Sequence, residues 1–241
     1  MSFSSNWKGT TAYKNNKLYL ISTEGSNYGQ SLASRIYDMS SNTFQTIPNL
    51  PGPVRSYITG AIVGDFLYAF GGYKYTGISF NTVCRLNLNT NTWETLSSTL
   101  PAARYSMGVA VYNNIIYLFA GGSGGSTQHN TVWSFNPSNN TFTSKNNFPV
   151  ATSYAKAVTY NNKIYVIGGF SSSFASALYE YNPTTDTYRN MTPQISASSV
   201  NPAMHVIDGK IYLAGGKSNP EHLRIFDPEA GLVRYLHQKN G

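Results

Sequence analysis

A tyrosine inside a short apolar run recurs five times along the 241 residues of the chain. The spacings between successive copies are 49, 49, 48 and 47 residues. A fixed period in this range is the signature of a tandem-repeat architecture, in which each repeat is one small structural unit. The five copies are Tyr19, Tyr68, Tyr117, Tyr165 and Tyr212.

Each tyrosine run is preceded by a two-residue turn made of Asn, Asp or Gly. These residue types suit a type I′ hairpin, because both central positions of that turn need a positive φ. Upstream of each turn lies a run of small and β-branched residues, which predicts a hairpin of two strands. The five turns are Asn15-Asn16, Gly64-Asp65, Asn113-Asn114, Asn161-Asn162 and Asp208-Gly209.

Two further strands complete every repeat. The third strand ends at an aromatic residue or Leu followed by Asp or Asn, as in Tyr37-Asp38 and Leu86-Asn87, and the short polar side chain opens a turn. The fourth strand begins with Thr and an aromatic residue in four repeats, as in Thr92-Trp93, and with Leu232-Val233 in the last repeat. The pattern therefore predicts one antiparallel sheet of four strands per repeat.

A sheet of this kind has two apolar faces, and radial stacking of the repeats buries both of them. We therefore expect an all-β chain that forms a five-bladed β-propeller, with four antiparallel strands per blade. The period is too long for a linear β-solenoid. Either the ring closes with five blades, or it is an incomplete six-bladed ring that another chain completes. We expect a single domain over residues 1–241, with repeats at approximately 6–50, 51–100, 101–148, 149–196 and 197–241.

The repeats resemble the Kelch repeat. The resemblance rests on a glycine pair after the second strand, on the turn that opens with Asn or Asp, and on the Thr-aromatic start of the fourth strand. It covers nearly the whole chain, although repeat one has Ser22-Thr23 in place of the glycines and repeat five has Val233 in place of the outer aromatic residue. The glycine pairs are Gly71-Gly72, Gly121-Gly122, Gly168-Gly169 and Gly215-Gly216.

Two arginines occupy the same repeat position, 13 residues before the repeat tyrosine. They are Arg55 and Arg104, and the other repeats have Asn6, Thr152 and Ser199 there. In Kelch relatives that act as substrate adaptors, an arginine at this place points toward the mouth of the central channel, where it meets acidic or phosphorylated peptide groups. A guanidinium is suited to bidentate binding of a carboxylate. The alternative is that each arginine bonds loop carbonyls between blades.

Polar, glycine-rich and serine-rich loops follow the second strands and carry exposed aromatic candidates. Tyrosine offers a large contact area at a low cost in conformational entropy, so such loops suit contacts with a peptide or a sugar. The alternative is that many of these side chains pack over the blade edges. The candidates for ligand contacts are Tyr73, Tyr75, His129, Phe170 and Phe174.

Composition narrows the choice of function. The net charge of +7 favours acidic partners, but no run of Lys or Arg marks a nucleic-acid arm, and no apolar stretch is long enough to span a bilayer. Cys84 is the only cysteine, which excludes an internal disulfide, and the four histidines show no metal-ligand spacing. We therefore expect no cofactor, no metal, no nucleic-acid partner and no membrane association.

The first hypothesis from the sequence is a cytoplasmic, non-catalytic interaction module. It would bind an acidic peptide or protein segment at the channel mouth, and actin or an adaptor protein is compatible with this hypothesis. A glycan-binding propeller is the alternative hypothesis. An enzyme of the Kelch type is a weaker one, because the chain lacks the Tyr/His/Cys and Glu/Asp/His sets of the catalytic relatives.

Overall fold

The computed structural model describes residues 9–21, 33–171, 178–191, 202–215 and 223–236. Every regular element in this part of the chain is a β-strand. Backbone contacts divide the chain into two compact units. The first comprises Met1–Ser106, Ser123–Thr127 and Asn136–Phe142, and the second comprises Met107–Gly122, Gln128–Phe135 and Thr143–Gly241.

Five sheets of four antiparallel strands follow one another along the chain. Sheet one contains β1 (Thr10–Lys14), β2 (Lys17–Ile21), β3 (Arg35–Asp38) and β4 (Thr43–Thr46). Sheet two contains β5 (Thr59–Val63), β6 (Phe66–Phe70), β9 (Val83–Asn87) and β10 (Thr92–Thr95). Sheet three contains β11 (Gly108–Tyr112), β12 (Ile115–Phe119), β15 (Val132–Asn136) and β16 (Thr141–Lys145). Sheet four contains β17 (Lys156–Tyr160), β18 (Lys163–Ile167), β19 (Leu178–Asn182) and β20 (Thr187–Asn190). Sheet five contains β21 (Ala203–Ile207), β22 (Lys210–Ala214), β23 (Leu223–Asp227) and β24 (Leu232–Leu236).

Two short hairpins add to the predicted strands. They are β7 (Tyr73–Lys74) with β8 (Ile78–Ser79), and β13 (Gly122–Ser123) with β14 (Thr127–Gln128). Both lie in the loop between the second and third strands of a sheet. The sequence pattern indicated a loop at each place, because two-residue strands are too short to show an alternation of polar and apolar residues.

The repeat tyrosine occupies an equivalent position in all five sheets, as predicted. In each case it is the third residue of the second strand and pairs with the third residue of the first strand. That partner is small or β-branched in four sheets and is His205 in sheet five. The five pairs are Tyr19 with Ala12, Tyr68 with Ala61, Tyr117 with Ala110, Tyr165 with Val158, and Tyr212 with His205.

Four of the five predicted hairpin turns have positive φ at both central residues, as type I′ geometry requires. The turn at Gly64-Asp65 differs, because only Gly64 has a positive φ, of 56°. Glycine at the first central position is typical of a type II′ turn, which also matches the right-handed twist of a hairpin. The prediction of a tight hairpin is therefore confirmed at this turn, but the assignment of turn type was wrong.

The core forms where one sheet packs on the next. We call the face of each sheet that carries the repeat tyrosine the tyrosine face, and the opposite face the reverse face. In the first unit, Tyr19 on the tyrosine face of sheet one shares a cluster with Leu67 and Leu86 on the reverse face of sheet two. In the second unit, Tyr117 clusters with Ile164 and Tyr181, and Tyr165 clusters with Ile211 and Phe226. Each tyrosine face in these clusters therefore packs on the reverse face of the following sheet.

The backbone turns sharply after the second strand through a residue with a left-handed conformation. Gly71 has a φ of 59°, and its amide donates to Thr82 O. In the third repeat the equivalent residue is Ala120, with a φ of 62° and an amide that donates to Thr131 O. The glycine pair quoted as Gly121-Gly122 therefore lies one residue later than its counterparts, and the structural pair is Ala120-Gly121.

The stability of two glycine variants tests whether the close approach of the backbone at Gly71 excludes a side chain. Gly64 and Gly71 have similar φ angles, but a Cβ on Gly64 meets nothing within 4 Å, whereas a Cβ on Gly71 collides with Arg104 O. We expect Gly64→Ala to cost about 1 kcal/mol in the free energy of unfolding, and Gly71→Ala at least about 3 kcal/mol. Chemical denaturation of both variants measures the difference. Equal losses would show that the contact with Arg104 O contributes nothing.

Candidate functional site

Every sheet has two distinct ends. The tight turns between the first and second strands and between the third and fourth strands lie at one end, which we call the turn end. The loops between the second and third strands, and the connections to the next sheet, lie at the other end, which we call the loop end. The chain order of an antiparallel four-stranded sheet dictates this division. The candidate ligand residues predicted from the sequence that fall within the described ranges all belong to the loop end.

The loop end of the first unit is built on the hairpin β7–β8. Ser56 and Tyr73 exchange two backbone hydrogen bonds of 2.8 Å, which attach the hairpin to the segment before β5. On the other side, the amide of Gly124 donates to Ser79 Oγ at 3.0 Å. The position of Tyr73 is therefore determined by backbone pairing and not only by packing.

The segment that leads into the third sheet is tied to the same hairpin. The amide of Gly72 donates to Arg104 O at 2.9 Å, and the amide of Arg104 donates to Phe80 O at 3.0 Å. Ser106 then donates to Tyr57 O at 2.9 Å. Tyr57 and Ser106 both have positive φ, of 59° and 49°, which is unusual for residues other than glycine. These bonds hold the two strained residues in place.

Four tyrosines meet at this loop end, and we call Tyr57, Tyr73, Tyr75 and Tyr105 the tyrosine cluster. The ring centroids of Tyr73 and Tyr105 are 5.0 Å apart, those of Tyr57 and Tyr105 are 6.0 Å apart, and those of Tyr73 and Tyr75 are 6.1 Å apart. Tyr105 is buried, and Tyr75 is 48% exposed. Burial raises the pKa of the Tyr105 hydroxyl, and the neighbouring Tyr73 and Tyr57 raise it further.

Arg55 precedes Tyr57 by two residues, and its guanidinium is bonded to backbone carbonyls. Its Nε donates to Gly71 O at 3.0 Å, and its Nη1 donates to Pro51 O and Pro53 O at 3.2 and 3.1 Å. Its Nη2 lies 3.8 Å from the sulfur of Cys84. The side chain is only 3% exposed, and its guanidinium stacks over the ring of Phe80 with 5.5 Å to the centroid. These contacts match the structural alternative for this arginine.

Arg104 is buried as well, with 6% of its surface exposed, and its Nη1 donates to Ala103 O at 2.9 Å. Burial lowers the pKa of the guanidinium of both Arg55 and Arg104. An arginine starts from so high a pKa that it stays charged at neutral pH. Two buried positive charges therefore belong to the loop end of the first unit.

The described carboxylates lie at the turn end or within strands, away from the loop end. The carboxylates of Asp38 and Asp65 lie at the turn end, where they contact Lys17 at 3.9 Å and Lys14 at 2.9 Å. In the second unit Asp186, Asp208, Asp227 and Glu229 also belong to turns or strand ends of the turn end. Glu94 lies within the fourth strand of sheet two and pairs with Arg85, and Glu180 lies within the third strand of sheet four and pairs with Arg189. Among described residues, the loop end thus contains cations but no carboxylate; Glu24 and Glu221 lie outside these residues.

The second unit repeats this backbone pattern with different side chains. The amide of Gly121 donates to Thr152 O, and the amide of Thr152 donates to His129 O. Ser153 and Phe170 exchange two backbone hydrogen bonds, just as Ser56 and Tyr73 do. Phe170 is 40% exposed. His129 and Phe170 are thus joined through residues 152 and 153, whereas the predicted contact residue Phe174 lies outside the described residues.

The sequence analysis did not identify Tyr57 and Tyr105 of the tyrosine cluster, or the buried Arg224. Tyr57 and Tyr105 lie within two residues of Arg55 and Arg104, so the repeat alignment itself could have indicated them. Arg224 on β23 is 1% exposed, and its Nη2 donates to Gly215 O at 3.2 Å. Gly215 is the counterpart of Gly71, and Arg224 is the counterpart of Cys84. A guanidinium thus reaches the same carbonyl in sheets two and five from two different backbone positions.

In the part of the chain that the structure describes, no three His, Cys, Asp or Glu side chains are grouped so as to hold a metal ion. No helix in these ranges is long and apolar enough to cross a membrane. The assignment of Arg55, Arg104, Tyr73, Tyr75, His129, Phe170 and Phe174 to ligand binding stays a prediction.

Comparison with known proteins agrees with the observed architecture. No curated protein matches the chain. A solved structure of YjhT is similar over 87% of this chain and 72% of that chain, with a TM-score of 0.74 and 21% sequence identity, which shows a common fold. The family model of the KLHDC2/KLHL20/DRC7 Kelch-repeats domain matches residues 9–223. The chain is therefore an all-β, five-bladed β-propeller that belongs to the KLHDC2/KLHL20/DRC7 Kelch-repeats domain family.

Proposed function

We propose that this protein is a non-catalytic interaction module whose loop end binds an acidic peptide or protein segment. The observation that carries the proposal is the separation of charge in the first unit. Its described carboxylates contact cations away from the loop end, whereas Arg55, Lys74 and Arg104 belong to the loop end. A surface with one sign of charge favours a ligand of the opposite sign and speeds its encounter.

In this proposal the tyrosine cluster provides the contact area. Tyr75 and Lys74 are exposed on the hairpin β7–β8, so both are accessible to a ligand without any rearrangement. Tyrosine and lysine together match a segment that alternates acidic and apolar residues, because the rings contact the apolar groups while the ammonium meets a carboxylate. His129 and Phe170 are the corresponding candidates in the second unit.

In this proposal Arg55 and Arg104 contribute their positive charge and stabilise the loops, and they need not contact the ligand directly. The guanidinium of Arg55 is already bonded to three carbonyls, and a ligand would have to displace those bonds to gain a direct contact. Its positive charge still favours an acidic ligand at the loop end, because salt screens a buried charge less than an exposed one. A glycan-binding function remains the second candidate, since tyrosine rings also stack on sugars.

Binding measurements with paired peptides test the proposal. We expect peptides rich in Asp and Glu to bind, their Asn and Gln analogues to bind weakly, and affinity to fall as ionic strength rises from about 0.05 to about 0.5 M. Tyr75→Ala should weaken binding about tenfold, and Lys74→Ala several-fold. Lys17→Ala at the turn end is the matched control and should leave binding unchanged. Equal affinity for charged and neutral analogues, or salt-insensitive capture on a glycan array, would contradict the proposal.

Unfolding measurements separate the two roles of Arg55. Because its donors are bonded to buried carbonyls, we expect Arg55→Lys to lower the free energy of unfolding by about 2–4 kcal/mol. Lys74→Ala, an exposed cation on the neighbouring hairpin, should change it by less than about 0.5 kcal/mol. Chemical denaturation gives both values. If Arg55→Lys unfolded at the same denaturant concentration as the wild-type protein, its contacts with the carbonyls would not matter for stability, and direct ligand binding would be the better explanation.

A further inference from the structure

Sheet four begins with a lysine at a position where the other sheets have small residues. Lys156 is the first residue of β17 and pairs with Ile167, the last residue of β18. Because the first strand of every sheet starts at the loop end, Lys156 lies at that end of sheet four. The fold does not require a long side chain here, since its counterparts are Thr10, Thr59, Gly108 and Ala203.

The side chain of Lys156 lies on the tyrosine face, because alternate residues of a strand share a face and Val158 pairs with the repeat tyrosine. In sheet one the counterpart Thr10 packs directly on the following sheet, since a Cβ on Gly60 would lie 2.7 Å from Thr10 Cγ2. The strand β17 likewise packs on β21 of sheet five. Lys156 is accordingly half-buried, and burial lowers the pKa of its ammonium group.

The ammonium group of Lys156 has no counter-ion in the part of the chain that the structure describes. It makes no hydrogen bond or ion pair there. The strands packed against β17, which are β11, β18 and β21, contain no carboxylate, and their titratable side chains are Tyr112, Lys163, Tyr165 and His205. A charge that is partly removed from water is unfavourable unless an opposite charge compensates it. A carboxylate beside Lys156 would therefore relieve an unfavourable state of the free protein.

The exposed ring of Phe170 belongs to the same part of sheet four. Ser153 and Phe170 exchange two backbone hydrogen bonds of 2.9 and 2.6 Å, in the register that also pairs Lys156 with Ile167. The segments that carry Lys156 and Phe170 are therefore joined by backbone pairing at the loop end. A cation and an apolar ring held on one such segment suit a ligand that has both a carboxylate and an apolar group.

We propose that Lys156 binds a carboxylate of the acidic ligand in the second unit, while Phe170 contacts a neighbouring apolar group of that ligand. This inference rests on the proposed function and adds a specific anchoring residue to it. Lys156 differs in this respect from Arg55 and Arg104, whose guanidiniums donate to backbone carbonyls of the loops. An ammonium group has three donors, and Lys156 uses none of them within the described residues.

One substitution in the full chain tests this assignment. Lys156→Met keeps a side chain of similar length and removes its charge. Lys163→Met is the matched control, because Lys163 is also half-buried and belongs to sheet four, but lies at the turn end. The probes are a peptide rich in Asp and Glu and its Asn and Gln analogue. Isothermal titration calorimetry measures their affinities, and chemical denaturation measures the stability of each variant.

We expect Lys156→Met to weaken binding of the acidic peptide at least about tenfold and to leave binding of the neutral analogue unchanged. The denaturation midpoint of Lys156→Met should equal or exceed that of the wild-type protein, because methionine removes a partly buried charge without leaving a partner unpaired. Lys163→Met should bind the acidic peptide with the affinity of the wild-type protein.

Three results would overturn the assignment. If Lys156→Met bound the acidic peptide normally while Tyr75→Ala bound it weakly, Lys156 would not be the anchor, and the proposed function would stand. If the wild-type protein bound the charged and neutral peptides equally, both the assignment and the proposed function would fail. A much lower denaturation midpoint for Lys156→Met would show that a carboxylate of the chain, such as that of Glu221 outside the described residues, already pairs with Lys156.

Discussion

The structure depends on the need of each four-stranded sheet to cover two apolar faces. A repeat of fewer than 50 residues cannot bury both faces by itself, so the faces of successive repeats cover one another. The repeat tyrosine is central to this packing, because its ring lies on one face while its small partner on the first strand leaves room for the next sheet. Tyr117 against Tyr181 and Tyr165 against Phe226, at 5.9 and 6.0 Å between centroids, are examples of the contact.

Close backbone approach at the loop end is the second requirement of the fold. The chain leaves the second strand through a left-handed residue, and the next amide bonds to the segment that enters the following sheet. Gly71 and Gly72 allow this approach, since a side chain at either position would collide with Arg104 O or with the stem of Arg55. Ala120 shows that alanine is accepted in one repeat. The loops that carry the candidate contact residues are therefore attached to the sheets by hydrogen bonds, which suits a binding surface.

The charge pattern follows from the same topology. Asp and Asn open the turns between the third and fourth strands, where Asp38 and Asp227 accept hydrogen bonds from backbone amides two and three residues later. Because these carboxylates stabilise the turns, they lie at the turn end. At the loop end, buried arginines donate hydrogen bonds to backbone carbonyls, so cations lie there. The difference in charge between the two ends thus arises from residues that also stabilise the fold.

The fold could be predicted from the sequence in considerable detail, but the candidate site could be predicted only in part. The period, the Asn-rich turns and the Thr-aromatic pairs correctly indicated twenty strands in five sheets, because hairpins depend on local interactions. The sequence also identified Tyr73 and Tyr75, which the structure places together. It left two alternatives open for Arg55, since the partner of a guanidinium depends on residues brought near it by folding, such as Gly71 O and Cys84.

Local chemistry alone therefore determined the number of sheets, their strand order and the places of their turns. Tertiary structure decided the matters that involve distant segments. It placed Ala120 in the position of a repeat glycine, brought Tyr57 and Tyr105 to the hairpin β7–β8, and directed Arg224 to Gly215 O. It also decided which side chains each repeat tyrosine packs against, because these belong to the following sheet, and the residues of one repeat carry no information about that neighbour.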